Sequence, residues 1–293
     1  MAPILLDLSI VIVNYKTRKL LLGCLASIYS NQVSNSISFE CIVIDNASND
    51  GSSEAVSATY PQVRLITNTE NHYFSAAYTQ GINEAMGHYV LVLNPDMIIE
   101  GHTLTQLVRQ MDSDPSIGAA TTTMHFPTGE LQRNGSRFVN FGYLLFQYTF
   151  LGKLMPGRLR AYRDWLWYAD WDRTTRRDID VLPGSCIIAT RETWLAAGGF
   201  NDAMPMYFSD DYLSWSVQKL GKRTVYLVSD GIVHFERAST QHATRRTLTA
   251  RSLQLYFHDL LVYTRLRFGP LAQAFLAVML IPTRIVQHFN ARE

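Results

Sequence analysis

LVLNPDMIIE, residues 91–100, decides how this chain folds. Leu91, Val92 and Leu93 read as the end of a strand covered on both faces, and apolar residues resume directly after Asn94-Pro95-Asp96. An apolar strand that stops at an amide, a proline and a carboxylate puts polar groups at the carboxyl edge of a sheet. In open α/β sheets that edge is where ligands bind. Pro95 disfavours a helical conformation at Asn94, which aims Asp96 back toward the edge. An ordinary turn uses the same residue types, so the stretch must be read with its neighbours.

Strands and helices alternate on the amino-terminal side. Residues 8–15 are a continuous apolar run, as a parallel strand covered on both faces requires. Residues 18–30 carry Leu21, Leu22, Leu25, Ile28 and Tyr29 at helical spacing. A second strand follows at 40–45, a short helix at 52–59, a third strand at 63–66, a helix at 74–86 and a fourth strand at 89–93. This alternation predicts an α/β fold with a mostly parallel sheet flanked by helices. The polar residues fall at strand ends: Asn14-Tyr15, Asp45-Asn46-Ala47-Ser48 and Asn94-Pro95-Asp96.

Beyond residue 100 the spacing predicts a helix over 102–111 and a strand over 118–124. Residues 126–137 are rich in turn formers, and 138–171 are dense in aromatics and arginines without a clear element. Regular structure returns over 187–197, with Thr190 as a helix cap and Gly198-Gly199 as its end. A helix is expected over 210–220, closed by Gly221, and a strand over 223–228 that stops before His234. The tail reads as helical. Residues 245–268 place Leu253, Tyr256, Phe257, Leu260 and Leu261 on one face; Gly269-Pro270 breaks it; then LAQAFLAVMLI runs eleven residues to Pro282. A spanning helix needs about 20 apolar residues, so this run is expected to be a core helix or to lie in a membrane interface.

Composition narrows the function. The 293 residues are 47% hydrophobic, enough for one large domain or two closely joined ones. A net charge of +1 supplies no global field for gathering nucleic acid. Charged residues at 17% and aromatics at 12% leave apolar surface for a partner or a membrane. Cys24, Cys41 and Cys186 each sit in an apolar stretch without a CxxC pair, so buried reduced thiols and a reducing, cytoplasmic compartment are expected. The start, MAPILLDLSIVIVNY, has no basic n-region and reads as the first strand.

Several residues can do chemistry. A carboxylate at a strand end, such as Asp96, can hold a divalent cation that takes its other oxygens from phosphates. Asp45, ahead of NASNDGS, can accept from a nucleobase N–H or serve an Asx-rich turn. Neither GxGxxG nor GxxxxGK[ST] is present, which removes the dinucleotide fingerprint and the P-loop. Asp210 and Asp211 stand at a helix start, where they favour the dipole or act as a general base. His234 is a metal ligand or a structural histidine.

SIVIVNY (9–15), VIDNASNDGS (43–52), LVLNPD (91–96), LPGSCIIATRETWLAAGGFND (182–202), MYFSDDYLSW (206–215) and IVHFERAS (232–239) resemble, in this order, the motifs of family 2 glycosyltransferases. The resemblance spans about residues 7–240 and is nearest to bacterial rhamnosyltransferase-like enzymes of surface-polysaccharide and O-antigen assembly. It implies a GT-A type, Rossmann-like fold with a C-terminal helical extension, and transfer with inversion. Residues 1–100 would form the nucleotide-sugar half, 101–240 the acceptor half and 241–293 the extension. It implies a dTDP-, UDP- or GDP-sugar donor and a divalent metal, Mn2+ or Mg2+. The acceptor would be a saccharide, free or on a polyprenyl diphosphate, met at the inner face of the cell membrane, with the C-terminal helices as a peripheral contact. Rhamnose is one candidate sugar.

Carried over by position, Asn14, Asp45, Asn46, Asn71, Asn94 and Asp96 bind the donor. Asp96 and His234 hold the metal, with Ser239 following. Asp210 is the base, with Asp211 as the fallback. Trp165 and Trp167, with Tyr168 and Trp171, offer faces for sugars, and Gln132 is a further acceptor contact. Arg158, Arg160, Arg163 and the basic tail from 265 to 289 could meet anionic lipid head groups. The chain departs from the family at Ser209, where a Glu is usual, and at Asn201, Tyr212 and the Asn71–Phe74 and Tyr78-Thr79 segments. The changes at 71–79 leave the donor sugar open, and Ser209 and Tyr212 leave open a non-catalytic saccharide-binding homologue. A sugar nucleotidyltransferase also uses an α/β sheet and a metal, but usually has a glycine-rich stretch after the first strand, which Asn14–Arg18 lacks.

Overall fold

The computed structural model describes residues 6–30, 37–235 and 250–290. Ser239 and the first residues of the helix expected over 245–268 lie outside them. The amino-terminal half runs β1 (Leu8–Asn14), α1 (Arg18–Ser30), β2 (Phe39–Asp45), α2 (Ser52–Thr59), β3 (Arg64–Thr67), α3 (Tyr73–Glu84), β4 (Tyr89–Leu93), β5 (Met97–Ile99), α4 (Thr103–Asp112) and β6 (Ile117–His125). It continues with α5 (Phe141–Tyr148), α6 (Leu151–Leu154), α7 (Pro156–Leu166), β7 (Arg177–Asp178), β8 (Cys186–Thr190), α8 (Arg191–Ala197), α9 (Ser209–Lys219), β9 (Arg223–His234), α10 (Ala250–Phe268) and α11 (Pro270–Asn290).

One nine-stranded sheet has the order β3-β2-β1-β4-β8-β6-β9-β5, with β7 on β9. The four strands β3-β2-β1-β4 are parallel to one another. Antiparallel neighbours enter at β8. β1 and β4 are buried on both faces because helices cover both. α1, α2 and α4 pack their apolar stripes on one face through Leu25, Val56 and Leu107. α3, α8 and α9 cover the other through Tyr78, Trp194 and Leu213. A third cluster joins α5, α7, α10 and α11 through Leu144, Leu166, Leu260, Tyr263, Leu276 and Leu280. All three cysteines are buried free thiols.

Thr190 caps α8 by accepting from the Thr193 amide, and Gly198 ends it at φ 83°, where L side chains are strained. Four features depart from the sequence expectations. β9 does not stop at residue 228. The Ser229-Asp230-Gly231 segment is a kink, with a register shift against β6, and the strand then pairs with β5 up to His234. β5 itself was hidden behind Pro95. Helices α5–α7 occupy the stretch left unassigned; their start signals are Asn140, which caps α5 through the Tyr143 amide, and Pro156 in the first turn of α7.

Finally, Pro282 does not end the last helix, which runs 21 residues. The proline costs about 3 kcal/mol. Burial of Leu276 and Leu280, about 1.5–3 kcal/mol each, offsets it. Residues 270–287 are therefore long and apolar enough to cross a membrane, with mean hydropathy 1.3 and 11% of the segment buried. A core helix would be mostly buried. This one exposes Leu271, Phe275, Val278, Ile281, Ile285 and Val286.

Candidate active site

Parallel pairing sets Asn14 opposite Asp45 at the carboxyl ends of β1 and β2. Both are buried. Asn14 Nδ2 donates to Asp45 Oδ1 (3.0 Å) and Ser48 Oγ (2.9 Å), and Ser53 Oγ donates to Asp45 Oδ2 (2.7 Å). Thr17 Oγ1 donates to Asn14 Oδ1 (2.7 Å). These residues brace the two loops from behind. Asn46 is the hub of the next layer. Its Nδ2 donates to Asn71 Oδ1 (2.9 Å) and the Tyr73 carbonyl (3.0 Å), and its Oδ1 accepts from Asn68 Nδ2 (3.1 Å) and the His72 amide (3.0 Å).

The bracing holds unusual backbone. Lys16, Ala47, Asn49 and Tyr73 have φ of 57°, 62°, 51° and 58°. Such positions cost about 1–3 kcal/mol each and persist only where surroundings dictate them. The loops surround a cavity of about 450 Å³ whose wall includes Lys16, Asn46, Asn71, Tyr78, Asn94 and Pro95. Tyr78, fully buried, donates its hydroxyl to Asn94 Oδ1 (2.9 Å), so this departure from the family pattern fixes the amide that ends β4.

Asp96, 2% exposed, directly follows Asn94 and Pro95 of this wall. Its placement beside His234 is a matter of strand pairing. Met97 is the register partner of His234, and the Phe235 amide donates to the Asp96 carbonyl (3.0 Å). Gln132 orients the ring. Its Nε2 donates to the His234 carbonyl (2.8 Å), which leaves Oε1 to accept from His234 Nδ1 (2.9 Å). His234 Nε2 then lies toward Asp96 Oδ1 at 3.7 Å. Asp96 Oδ1 is buried and has no hydrogen-bond partner. A buried carboxylate oxygen without a partner is costly unless a cation lies beside it. The gap is too long for a hydrogen bond, while two metal–ligand bonds of about 2.1 Å can span it. Among the described residues no cluster of three or more His, Cys, Asp or Glu supplies a closed metal site. This donor set therefore fits a hard cation that takes its remaining oxygens from phosphate and water.

His234 and Gln132 also border a second cavity, of about 650 Å³, with Arg133, Trp167, Asp210 and Asp211. The two cavities meet where the Asn94 amide donates to the Ser185 carbonyl (2.9 Å). Next to it, the Gly184 amide donates to Asp210 Oδ2 (3.0 Å). A Cβ on Gly184 would lie 3.3 Å from the Asp210 side chain, so the glycine permits this approach. The Asp211 amide donates to Asp210 Oδ1 (3.1 Å). Burial raises the Asp210 carboxyl above its ordinary value, opposed by the Gly184 and Asp211 amides. Asp211 is raised further, by burial and by the charge of Asp210, with Arg267 opposing. Both line the second cavity; Asp211 also neighbours Arg267 of α10, whereas Asp210 is held by Gly184 beside the Asn94–Ser185 bond. Ser209, where the family has Glu, is buried and accepts from the Asn201 amide (2.9 Å).

Trp167 lines the second cavity, but Trp165 stands outside it against Arg137. Tyr168 and Trp171 do not offer their faces. They are buried in the core, ringed by Arg173 and Arg177, because residues 168–173 fold back under the sheet. Gln132, expected as an acceptor contact, lines the second cavity; it is 6% exposed and its amide bonds His234. Sequence reasoning missed a further contribution. α10 is latched to the loop before α9 by Asp259, fully buried, which accepts from the Met206 (3.0 Å) and Tyr207 (2.9 Å) amides. Met206, Tyr207, Arg251 and Leu255 complete the wall of the first cavity. No local motif marks them, since they meet it only through the docking of α10.

The family model described as glycosyl transferase family 2 matches residues 9–168, just over half the chain. The chain belongs to this family. It is 25% identical over 231 residues to the N-acetylglucosaminyl-diphospho-decaprenol L-rhamnosyltransferase of Mycobacterium tuberculosis, covering 73% of this chain and 72% of that protein. It is 28% identical over 204 residues to the O-antigen biosynthesis protein RfbC of Myxococcus xanthus, covering 69% of this chain but 15% of that one. The crystal structure of GalNAc-T7 with UDP, GalNAc and Mn2+ superposes with a TM-score of 0.63 at 15% identity, over 89% of this chain and 48% of that one. The sheet and its flanking helices are those of GT-A glycosyltransferases. This family 2 protein is a glycosyltransferase.

Proposed function

We propose that this enzyme moves a sugar from a nucleoside diphosphate to a hydroxyl of a saccharide in a single inverting displacement, with a divalent cation between Asp96 and His234. The observation that carries this is the unpartnered, buried Asp96 oxygen facing His234, with Asn94 and Pro95 before it on the first cavity and His234 on the second. When bound, Mn2+ or Mg2+ would offset the charge that grows on the departing diphosphate.

The protein's own groups do the rest. The first cavity takes the nucleotide, with Asn46, Asn71 and Asn94 at its wall and Asn14 and Asp45 holding its loops in place. The second takes the acceptor, with Trp167 stacking on a sugar face. Asp210, oriented by the Gly184 amide, removes the proton from the attacking hydroxyl. Its raised pKa keeps it a better base than an exposed carboxylate. Holding donor and acceptor in line across the Asn94–Ser185 bridge supplies much of the acceleration.

The mycobacterial relative is named for L-rhamnose and a decaprenol-linked acceptor. By that likeness the sugar here is rhamnose and the acceptor a saccharide on a polyprenyl diphosphate, as in O-antigen assembly. Arg133 on the second cavity suits the acceptor's phosphates. The exposed apolar side of α11 suits a membrane surface, with exposed Arg158, Arg160 and Arg163 on α7 within the same helical layer. Arg267 is not part of that basic surface, because it turns inward toward Asp211.

The test is a thermal-shift panel of dTDP-, UDP- and GDP-sugars with Mn2+, Mg2+ or chelator, on wild type and Asp96→Ala. A metal-dependent shift confined to wild type is expected. A shift that persists in Asp96→Ala, or none with any donor, rejects the proposal. Vesicle co-sedimentation of a Val278→Lys/Ile281→Lys variant checks the membrane surface: bound protein should drop several-fold with an unchanged melting point.

A further inference from the structure

The first cavity has an unusual charge. Its wall holds two cations, Lys16 and Arg251, and no carboxylate among the described residues. Lys16 comes from the loop after β1. Arg251 comes from the other end of the chain, at the start of α10. Its guanidinium donates to the Tyr73 hydroxyl and lies over the Tyr73 ring, 5.6 Å from the centroid. Among the described residues no acid pairs with it, and it remains exposed at the cavity rim. The Asp259 latch fixes the helix that carries it against the same wall.

We propose that Arg251 binds the diphosphate of the donor, so that the C-terminal extension supplies an anion-binding group to the nucleotide site. The inference rests on the function proposed above and names a residue that function did not require. A guanidinium is the side chain best shaped for phosphate, because its planar fork can donate two parallel hydrogen bonds. Tyr73 presets its direction. The hydroxyl takes one N–H and the ring supports the cation, leaving the remaining donors for a ligand. Tyr73 holds that place through its left-handed backbone (φ 58°) and the bond from its amide to Asn71 Oδ1 (2.7 Å). Leaving-group charge would then be shared between Arg251 and Lys16 on the rim and the Asp96–His234 pair within.

The experiment is calorimetric titration of UDP, dTDP and GDP, and of the matching monophosphates and nucleosides, into the full-length protein at fixed Mg2+. Arg251→Gln should weaken the preferred diphosphate by about tenfold or more, the loss expected for a hydrogen bond to a charged group, and the nucleoside by less than about twofold. Arg251→Lys should fall between the two proteins, and Tyr73→Phe should show a smaller loss in the same direction. The dependence of diphosphate affinity on salt should flatten in Arg251→Gln. Diphosphate affinity in Arg251→Gln within about twofold of wild type overturns the inference while the nucleotide site stands. So does an equal loss for diphosphate and nucleoside, which would make Arg251 a shaper of the wall. A wild-type protein that binds none of the three diphosphates overturns both this inference and the proposed function.

Discussion

The two cavities that meet at Asn94 and Ser185 have opposite chemistry. The first is walled by asparagines and aromatics, with two cations and no carboxylate among the described residues. The second carries Asp210 and Asp211, both with pKa values raised chiefly by burial. A site that releases a diphosphate must tolerate negative charge, and a site that deprotonates a hydroxyl must supply a base. On the proposed function one uniform pocket would serve both poorly, since a carboxylate whose charge no cation offsets would repel the diphosphate. The sheet keeps them apart: loops after β1, β2 and β4 build one side, and the amino end of α9 builds the other.

This division can be broken most sharply at Asp210. Asp210→Asn should lower turnover by about 10²–10⁴-fold, the usual worth of a general base, while donor nucleotide affinity measured by calorimetry stays within about twofold. Asp211→Asn should cost far less turnover. A reversal of that order would place the base on the α10 side. The boundary between the cavities is tested next. Gln132→Ala, which frees the His234 ring, should weaken Mn2+ binding by about 10–100-fold, read by the paramagnetic signal of free Mn2+ in the absence of any substrate. On the acceptor side, Trp167→Ala should raise the acceptor KM by about threefold to tenfold, the worth of an aromatic contact, with the donor KM unchanged.

The smallest effect concerns pH. The native carboxyl of Asp211 is raised above its unfolded value, so the folded state binds more protons than the unfolded one. Its contribution is complete below the unfolded value near 3.8 and declines as pH rises toward the raised native value. Asp211→Asn should therefore raise the melting temperature near pH 7 by about one to a few degrees and flatten its fall from acid to neutral pH.

Much of the sheet was legible in the sequence because parallel strands buried on both faces are uninterrupted apolar runs, and turns carry their own residue types. Thr190 and Gly198 marked both ends of α8 from their chemistry alone. What depended on tertiary packing was hidden. Pro282 reads as a stop, yet α11 passes through it because Leu276 and Leu280 are anchored below. Ser229-Asp230-Gly231 reads as a turn, yet it is a kink that carries β9 on to His234. The candidate site divides in the same way. Asp96, Asp210 and His234 announced themselves by their positions at element ends. That Tyr168 and Trp171 are core while Trp167 faces the cavity is set by one left-handed residue, Tyr168 at φ 47°, which no composition reveals.

The Asp259 latch has a consequence for how the enzyme is made. The amides it holds belong to Met206 and Tyr207, some fifty residues earlier. During synthesis the strands, the asparagine loops and both aspartates of α9 leave the ribosome before the carboxylate that secures the last wall of the first cavity. A nascent chain stopped short of residue 259 would own Asp96, Asp210 and His234 and still lack the carboxylate that ties α10 to the loop before α9, so the chamber is closed only when the final helices dock.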